Sequence, residues 1–293
     1  MNIGLLIAIL GGLGAMLGWG ISDFFAKKSV DKVGYLVSLF WMQTFGLLPL
    51  FIYLLIKFDL SNFSFNQLPT VILLGLIDIV GYLMFYKALE KGKVSIVSPI
   101  TASYSAFSVL ISALAFHELI TGRILFILGI VIVGILLTSI DLGEFKKEGF
   151  NKKDLLKGVP EALIGVALFS IWFPFWDNFV SGGNWLILLI LLRLVSSLFL
   201  LVLLKKNHST VKIKDINVVK WLAVIGLLDA FAYITLTWSY SATSYTSIIS
   251  VLSATFSLPT LILARIFLKE KIKPNQIGGI ALILLGLALI GLM

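Results

Sequence analysis

Long apolar runs constrain this chain more than any other feature of its sequence. Ten stretches of about 20 residues consist largely of aliphatic and aromatic side chains, and about 20 helical residues span the hydrocarbon core of a bilayer. Hydrophobic residues make up 59% of the 293-residue chain and charged residues only 13%. Because soluble domains carry roughly 25% charged residues, the sequence predicts an all-α polytopic membrane protein.

The apolar segments are separated by short connections, except for two longer stretches that are polar and rich in lysine. The N-terminal run has neither a basic region nor a small-residue cleavage site, so we interpret it as a membrane helix and not as a signal peptide. The sequence predicts ten transmembrane helices in a multi-pass protein of the cell membrane. Their approximate bounds are 3–25, 35–56, 69–88, 94–116, 122–140, 160–180, 184–204, 218–239, 245–267 and 274–292.

The two halves of the sequence repeat each other. The string LGLIDIVGY at 74–82 recurs as IGLLDAFAY at 225–233, and each copy carries an aspartate with a tyrosine four residues on. Four residues return to the same face of a helix, so each copy presents an Asp/Tyr pair. Hydroxyl residues of the fourth and ninth segments repeat as well, at an offset of 152 residues: Ser98, Thr101, Ser105 and Ser108 match Ser250, Ser253, Ser257 and Thr260.

Five segments in each half is an odd number, so the second half must enter the membrane in the opposite orientation. The sequence therefore predicts two inverted repeats, related by a pseudo-two-fold axis in the membrane plane. We place the first repeat at 1–140, a basic linker at 141–159 and the second repeat at 160–293. Such an axis maps the midplane onto itself, so Asp78 and Asp229 are expected at one shared midplane site.

Basic residues are distributed unevenly among the connections. The loops after the odd-numbered segments, with the adjoining segment ends, hold 19 of the 23 Lys and Arg residues. The positive-inside rule then places these loops in the cytoplasm and both termini outside. The net charge of +8 is thus explained by topology and contact with anionic lipid, and no nucleic-acid partner is predicted.

Three strings resemble EamA-type transporters of the drug/metabolite transporter superfamily, and the likeness extends over the whole chain. They are GWGISDFFAKK at 18–28, AFHELITGRILFILGIVIVG at 115–134 and FLKEKIKPNQIGGIALILLG at 267–286. The shared features are a Trp-Gly pair in the first segment and a glutamate, Glu118 or Glu270, after the fourth and ninth. The resemblance implies a secondary transporter whose central cavity is lined mainly by segments 1, 3, 4, 6, 8 and 9. Ten-segment members generally have cytosolic termini, which the charge distribution contradicts.

Asp78 and Asp229 are the first candidates for a functional site. A carboxyl group inside a membrane segment is by default a functional-site hypothesis. Burial favours the neutral, protonated form of a carboxyl group, so these aspartates could exchange protons during transport. The alternative is that each is a structural residue satisfied by Tyr82, Tyr233 or a hydroxyl group of a neighbouring helix.

The other candidate substrate-binding residues are aromatic or carry hydroxyl groups. Aromatic side chains would form a cavity for an aromatic, apolar or cationic solute: Trp19, Tyr82, Tyr104, Trp172, Trp176 and Tyr233. Ser98 and Ser250 would add hydroxyl groups, although stripes of small residues also serve helix packing. Pro99 and Pro259 are expected to interrupt the fourth and ninth segments and to leave carbonyl groups available for a ligand.

Two further charged positions allow more than one interpretation. Arg193 lies within the seventh segment, where an unpaired charge costs at least about 2.5 kcal/mol. Pairing with an acid is therefore favoured over binding of an anionic substrate or a lipid headgroup. Asp23 and Asp177 lie at the ends of segments 1 and 6, where they are either solvated or part of a gate.

We interpret the chain as a secondary transporter that moves a small organic metabolite by alternating access. An amino acid or similar solute is expected, with export favoured by the resemblance and protons as candidate coupling ions. The alternatives are an uncoupled facilitator or uptake carrier for sugars or other metabolites, and a non-transporting membrane enzyme or scaffold. The sequence contains two histidines and no cysteine. It predicts a monomer in the lipid bilayer without catalysis, metal or other cofactor.

Overall fold

The computed structural model describes residues 3–57, 63–115, 122–139, 156–180, 183–243 and 245–291. Within these ranges the secondary structure is helical, with a short 3₁₀ turn at Phe65–Gln67 and a π-helical turn at Ala264–Leu268. The α-helices are α1 (Ile3–Val33), α2 (Tyr35–Lys57), α3 (Leu68–Lys91), α4 (Val94–Ala102), α5 (Tyr104–Ala115), α6 (Gly122–Ser139), α7 (Val159–Val180), α8 (Trp185–Lys206), α9 (Ile216–Ala242), α10 (Thr246–Ala254), α11 (Ser257–Leu263) and α12 (Pro274–Gly291).

Eight helical stretches of the described ranges are long and apolar enough to cross a membrane, when α4 with α5 and α10 with α11 each count as one. Helices α6 and α12 are apolar but shorter. The all-helical membrane class is therefore confirmed. Most of the predicted linker at 141–159 and Glu118 lie outside the described residues, so the predicted boundary between the repeats stays a prediction.

The fourth and ninth segments are interrupted, as their prolines led us to expect. The breaks occur at Ser103, between α4 and α5, and at Thr255 and Phe256, between α10 and α11. Pro259 falls in the first turn of α11, where its missing N–H leaves no hydrogen bond unmade. Pro99 instead lies inside α4 and the break follows one turn later, so the proline located this interruption only approximately.

The helix contacts between the two halves occur in equivalent pairs, as expected for a repeated structure. Helix α1 packs on α9, and the equivalent pair, α7 and α3, also packs together. Likewise α2 packs on α9 while α8 packs on α3, and α1 packs on α10 while α7 packs on α4 and α5. The two halves therefore form their main contacts with each other through matching surfaces.

Two glycines allow the equivalent close approaches of α9 to α2 and of α3 to α8. A Cβ atom on Gly226 would lie 2.6 Å from the Cβ atom of Phe45, and one on Gly75 would lie 3.2 Å from that of Val195. Gly226 follows Gly75 by 151 positions, and Val195 follows Phe45 by 150. The second and seventh segments are therefore related by an offset of 150 residues, which makes Gln43 the counterpart of Arg193.

One end of the bundle collects basic connections and is closed by contacts between elements. We call it the basic end, and it consists of residues 27–35, 89–95, 157–161, 205–213 and 269–273. Lys27 Nζ donates to the Leu89 carbonyl group at 2.8 Å, and Lys93 Nζ donates to the Lys271 carbonyl group at 2.9 Å. Lys91 forms an ion pair with Glu161 in the first turn of α7. The end of α3 thus contacts both the end of α1 and the beginning of α7.

Candidate functional site

Asp78 and Asp229 exchange tyrosine partners between the two halves. The Tyr82 hydroxyl group donates to Asp229 Oδ1 at 3.0 Å, and the Tyr233 hydroxyl group donates to Asp78 Oδ1 at 2.9 Å. Both aspartates are 1% exposed and lie near the middle of α3 and α9. The two Asp/Tyr pairs read from the sequence therefore combine into one group of four side chains, which we call the acid cluster.

Arg193 joins the acid cluster on one side only. It forms an ion pair with Asp229, and its Nη1 donates to Gln43 Oε1 at 2.6 Å. The guanidinium carbon lies 4.6 Å from the centre of the Tyr233 ring, within range of a cation–π contact. The interpretation that Arg193 pairs with an acid is confirmed. Gln43 stands at the equivalent position of the first repeat, so the charges of the cluster do not follow its approximate symmetry.

The two aspartates differ in how their oxygens are satisfied. Asp229 Oδ1 accepts from Tyr82 and Oδ2 accepts from Arg193. Asp78 Oδ1 accepts from Tyr233, whereas Asp78 Oδ2 is buried without a hydrogen-bond partner. Buried polar atoms are almost always hydrogen-bonded. The free oxygen of Asp78 therefore marks a chemical difference between two residues that the repeat makes equivalent.

An aromatic cavity lies beside the acid cluster. Its lining comes from α1, α3, α4, α5, α7, α9 and the break before α11: Trp19, Asp23, Tyr82, Phe85, Thr101, Tyr104, Phe169, Phe173, Tyr233 and Phe256. These elements belong to segments 1, 3, 4, 6, 8 and 9. The cavity has a volume of about 30 Å³, close to the share of one water molecule in the liquid. A metabolite can enter only if the surrounding helices separate.

Tyr82 and Tyr233 connect the cavity to the acid cluster. Their rings line the cavity while their hydroxyl groups bind the aspartates behind them. Trp19 contacts Tyr233 edge-to-face at 5.4 Å between ring centres, and Tyr104 stacks on Phe173 at 4.2 Å. The predicted residues Trp19, Tyr82, Tyr104 and Tyr233 are thus brought together around one cavity, whereas Asp78 and Asp229 lie outside its lining.

Asp23 is the carboxyl group that faces the cavity. It is 6% exposed and accepts a hydrogen bond from Ser98 Oγ at 3.2 Å. The interpretation of Asp23 as a solvated residue is therefore wrong. Its distance of four residues from Trp19 carried the missing signal, since residues four apart share a helix face. Ser98, a predicted site residue, acts here through Asp23.

The remaining predicted site residues lie outside the cavity lining. Trp172 and Trp176 are fully buried and stack on each other at 5.3 Å between ring centres, and Trp172 contacts the Tyr233 ring edge-to-face at 5.9 Å. Trp176 Nε1 donates to Thr237 Oγ1 at 3.5 Å. Ser250 is half-buried and shares a hydrogen bond of 2.8 Å with the Tyr240 hydroxyl group. The two tryptophans support the aromatic wall without forming it.

Glu270 closes the basic end of the bundle over α4. Its carboxylate accepts from the backbone N–H groups of Val94 and Ser95 at 3.3 and 3.0 Å, and also from the Ser95 hydroxyl group. These N–H groups have no partner within the helix, and a carboxylate is favourable at the positive end of a helix dipole. The glutamate after the ninth segment therefore joins the second half to the first half.

Both halves of the sequence match the same known family. The model of the EamA-like transporter family fits residues 6–140 and again residues 156–292. The chain belongs to the EamA-like transporter family. It is therefore a multi-pass membrane protein that transports small molecules, which confirms the resemblance read from the sequence.

Two similar proteins extend this comparison of the EamA-like chain. An uncharacterized protein of Methanocaldococcus jannaschii, MJ1333.1, is 30% identical over 136 residues, which make up 45% of this chain and 96% of that protein. A solved crystal structure superposes with a TM-score of 0.66 at 16% identity, covering 96% of this chain and 95% of the other. The aligned length of MJ1333.1 is about that of one matched half, and the crystal structure supports the fold alone.

Proposed function

We propose that this EamA-like protein is a secondary transporter that moves a small organic metabolite across the cell membrane by alternating access. The proposal rests on the aromatic cavity, which takes its lining from both halves of the chain. A cavity between two pseudo-symmetric halves is where transporters of inverted-repeat design hold their substrates. Rocking of one half against the other would open it to each side in turn.

The helix directions favour the inverted arrangement on which this mechanism depends. Helix α1 ends at the basic end, and its counterpart α7 begins there, next to Lys91 through Glu161. An inverted pair behaves in this way, and ten membrane crossings follow when α6 and α12 each cross once. The abundance of lysine supports a cytoplasmic location for the basic end. The contacts of Lys91 and Glu270 would then hold the cytoplasmic side closed until they break.

The chemistry of the lining favours a solute with an apolar or aromatic body. Eight of its ten residues carry aromatic rings: Trp19, Tyr82, Phe85, Tyr104, Phe169, Phe173, Tyr233 and Phe256. Thr101 and the carboxyl group of Asp23 supply polar contacts, and a carboxyl group with aromatic neighbours suits an amino group. An amino acid or a similar amine-bearing metabolite fits this combination, and export is proposed from the family resemblance.

Proton coupling is the further part of the proposal. The acid cluster lies at mid-helix depth and is connected to the cavity by the two tyrosines. Movement of these tyrosines with the cavity walls would alter the environment of Asp78 and Asp229. A carboxyl group that changes its environment during the cycle can take up a proton on one side and release it on the other.

Transport by purified protein in liposomes tests the proposal. A thermal-shift screen of amino acids and other metabolites selects candidate solutes, and counterflow of each labelled solute then measures exchange across the membrane. We expect counterflow for at least one amine-bearing solute and loss of counterflow in Phe173→Ala, with Phe65→Ala as a control at an exposed position. Counterflow of sugars without an effect of a pH gradient would instead support the facilitator, and no exchange of any metabolite would contradict the proposal.

A further inference from the structure

We infer that Asp78 alone, of the two equivalent aspartates, is a proton-binding site, and that Asp229 remains charged as the counterion of Arg193. The inference deepens the proposed function and rests on it for the coupling of proton movement to transport. It assigns different roles to two residues that the sequence repeat presents as identical. The reasons lie in the hydrogen bonds, the charges and the enclosure of the acid cluster.

The hydrogen bonds of the two carboxyl groups point to different protonation states. Both oxygens of Asp229 accept from donors, and one of these donors is a guanidinium group. Asp78 has one donor, Tyr233, and its Oδ2 has none. A charged carboxylate with an unsatisfied oxygen is costly in a dry interior. A proton on Oδ2 removes that charge and leaves Oδ1 free to accept from Tyr233.

The charge balance of the acid cluster leads to the same assignment. The charged and titratable groups that face Asp78 are Arg193 on α8, Asp229 and Tyr233 on α9, and Tyr82 one turn further along α3. One guanidinium charge is committed to Asp229, so a charged Asp78 would leave the cluster with a net negative charge. Asp23 adds a further carboxyl group on the cavity side. With a proton on Asp78 the cluster is neutral, which the low-dielectric interior favours.

Enclosure excludes larger ligands from Asp78. The residue is 1% exposed and is absent from the cavity lining, from which Tyr233 separates it. Hard metal cations need several oxygen ligands around them, whereas the free position at Asp78 is a single oxygen. A proton needs only that oxygen. The Tyr233 hydroxyl group contacts Asp78 while its ring lines the cavity, so it is the group through which the cavity and the proton site affect each other.

The repeat shows how the difference between the aspartates arises. Gln43 of the first repeat stands where the second repeat has Arg193, and the two side chains bind each other at 2.6 Å. A cation at only one of the two positions neutralises one of the two acids. The other acid keeps the capacity to titrate. A duplicated Asp/Tyr pair thereby becomes one ion pair and one proton site.

Infrared difference spectroscopy of the purified protein tests this assignment without any substrate. Spectra recorded at acidic and alkaline pH reveal the carbonyl band of protonated carboxylic acids. We expect Asp78→Asn to remove one such band, while the double variant Arg193→Gln/Asp229→Asn, which eliminates both charges together, retains it. Asp177→Asn, at the end of α7, is the control for a carboxyl group outside the cluster. Persistence of every band in Asp78→Asn, or loss of the same band in the double variant, would overturn the inference.

Transport measurements separate this inference from the proposed function. In liposomes we expect a gradient of one pH unit to drive accumulation of the solute by the wild-type protein about tenfold, since one coupled proton contributes a factor of ten for each pH unit. We expect Asp78→Asn to lose this accumulation. A wild-type protein that ignores the gradient, with the Asp78 band intact, would refute coupling in the proposed function and support the proton site. Gradient-driven accumulation that Asp78→Asn retains would support the transporter and overturn the inference.

Discussion

The ion pair between Arg193 and Asp229 yields the sharpest prediction for stability. Arg193→Gln leaves Asp229 buried without a counterion. Glutamine is also the residue at the equivalent position of the first repeat, Gln43. Removing one partner of a buried ion pair costs about 3–5 kcal/mol, because the remaining charge is uncompensated. Arg193 is 1% exposed, so water cannot replace it without a rearrangement of the helices.

The second substitution in the same chain isolates the charge effect. In Arg193→Gln/Asp229→Asn no charge is stranded, so part of this loss should be recovered. The recovery cannot be complete, because the 2.6 Å hydrogen bond to Gln43 and the contact with the Tyr233 ring are lost as well. Each of these is worth about 1–2 kcal/mol. We therefore expect the double variant to be more stable than either single variant by about 1–3 kcal/mol.

Reversible unfolding in mixed detergent micelles, followed by circular dichroism, measures these differences. Arg265→Gln is the matched control, since Arg265 is an exposed arginine of the ninth segment, and such substitutions usually change stability by less than about 0.5 kcal/mol. If Arg193→Gln unfolds within about 1 kcal/mol of the wild type, the buried ion pair does not exist as described. A double variant less stable than both single variants would refute the charge argument.

Three further predictions follow from other parts of the structure. Tyr82→Phe should lower the free energy of unfolding by about 1.5–3 kcal/mol, because it removes a hydrogen bond to the charged Asp229. Tyr233→Phe should lower it by only about 1 kcal/mol, because its hydrogen bond goes to a neutral acid. Equal losses in micelle unfolding would contradict this difference. Gly279→Ala should lower the free energy of unfolding by about 1–3 kcal/mol by overpacking, since its Cβ atom would lie 2.6 Å from the Gly134 carbonyl oxygen. Gly278→Ala is the control, because its Cβ atom would meet nothing within 4 Å. Equal unfolding midpoints for the two variants would refute the contact between α6 and α12. A reporter that is active only in the cytoplasm should stay silent when it is fused to Met293. A signal would contradict the prediction that the C-terminus lies outside.

Much of the fold could be predicted from the sequence because a bilayer restricts what a chain can do. Apolar runs of about 20 residues must become helices in lipid, so the helix positions followed from composition. Pro99 and Pro259 located the breaks to within a turn. The offset between Asp78 and Asp229 indicated the repeat, and the high energy of an unpaired intramembrane charge predicted a partner for Arg193.

The composition of the site could not be predicted to the same degree. Residues four apart share a helix face, yet the face alone does not say which helix packs on it. The sequence therefore grouped each aspartate with the tyrosine of its own helix, whereas α2 and α8 each pack on both α3 and α9 and bring the pairs together crosswise. Phe169, Phe173 and Phe256 carried no signal among 22 phenylalanines, since an aromatic ring is equally at home in lipid and in a cavity wall.

Gln43 and Asp23 belong to the site but were not among the predicted site residues. Each is a polar residue that the pattern around it could have identified, Gln43 by its offset of 150 residues from Arg193 and Asp23 by its position one turn after Trp19. The offset of 150 residues between Gln43 and Arg193 differs from the offset of 151 residues between Asp78 and Asp229, because loop lengths differ between the repeats. The paired glycine contacts of α2 and α8 support the offset of 150 residues for these segments.

Accessibility of the cavity from the two sides of the membrane is a direct test of alternating access. The chain contains no cysteine, so Thr101→Cys places a single thiol in the cavity lining, and Thr138→Cys places one in a fully buried position between α6 and α12. Under alternating access, a membrane-impermeant thiol reagent should modify Thr101→Cys when added to either side, and a transported solute should slow both reactions. Thr138→Cys should react from neither side. Modification of Thr101→Cys from one side only, or from neither, would contradict the account.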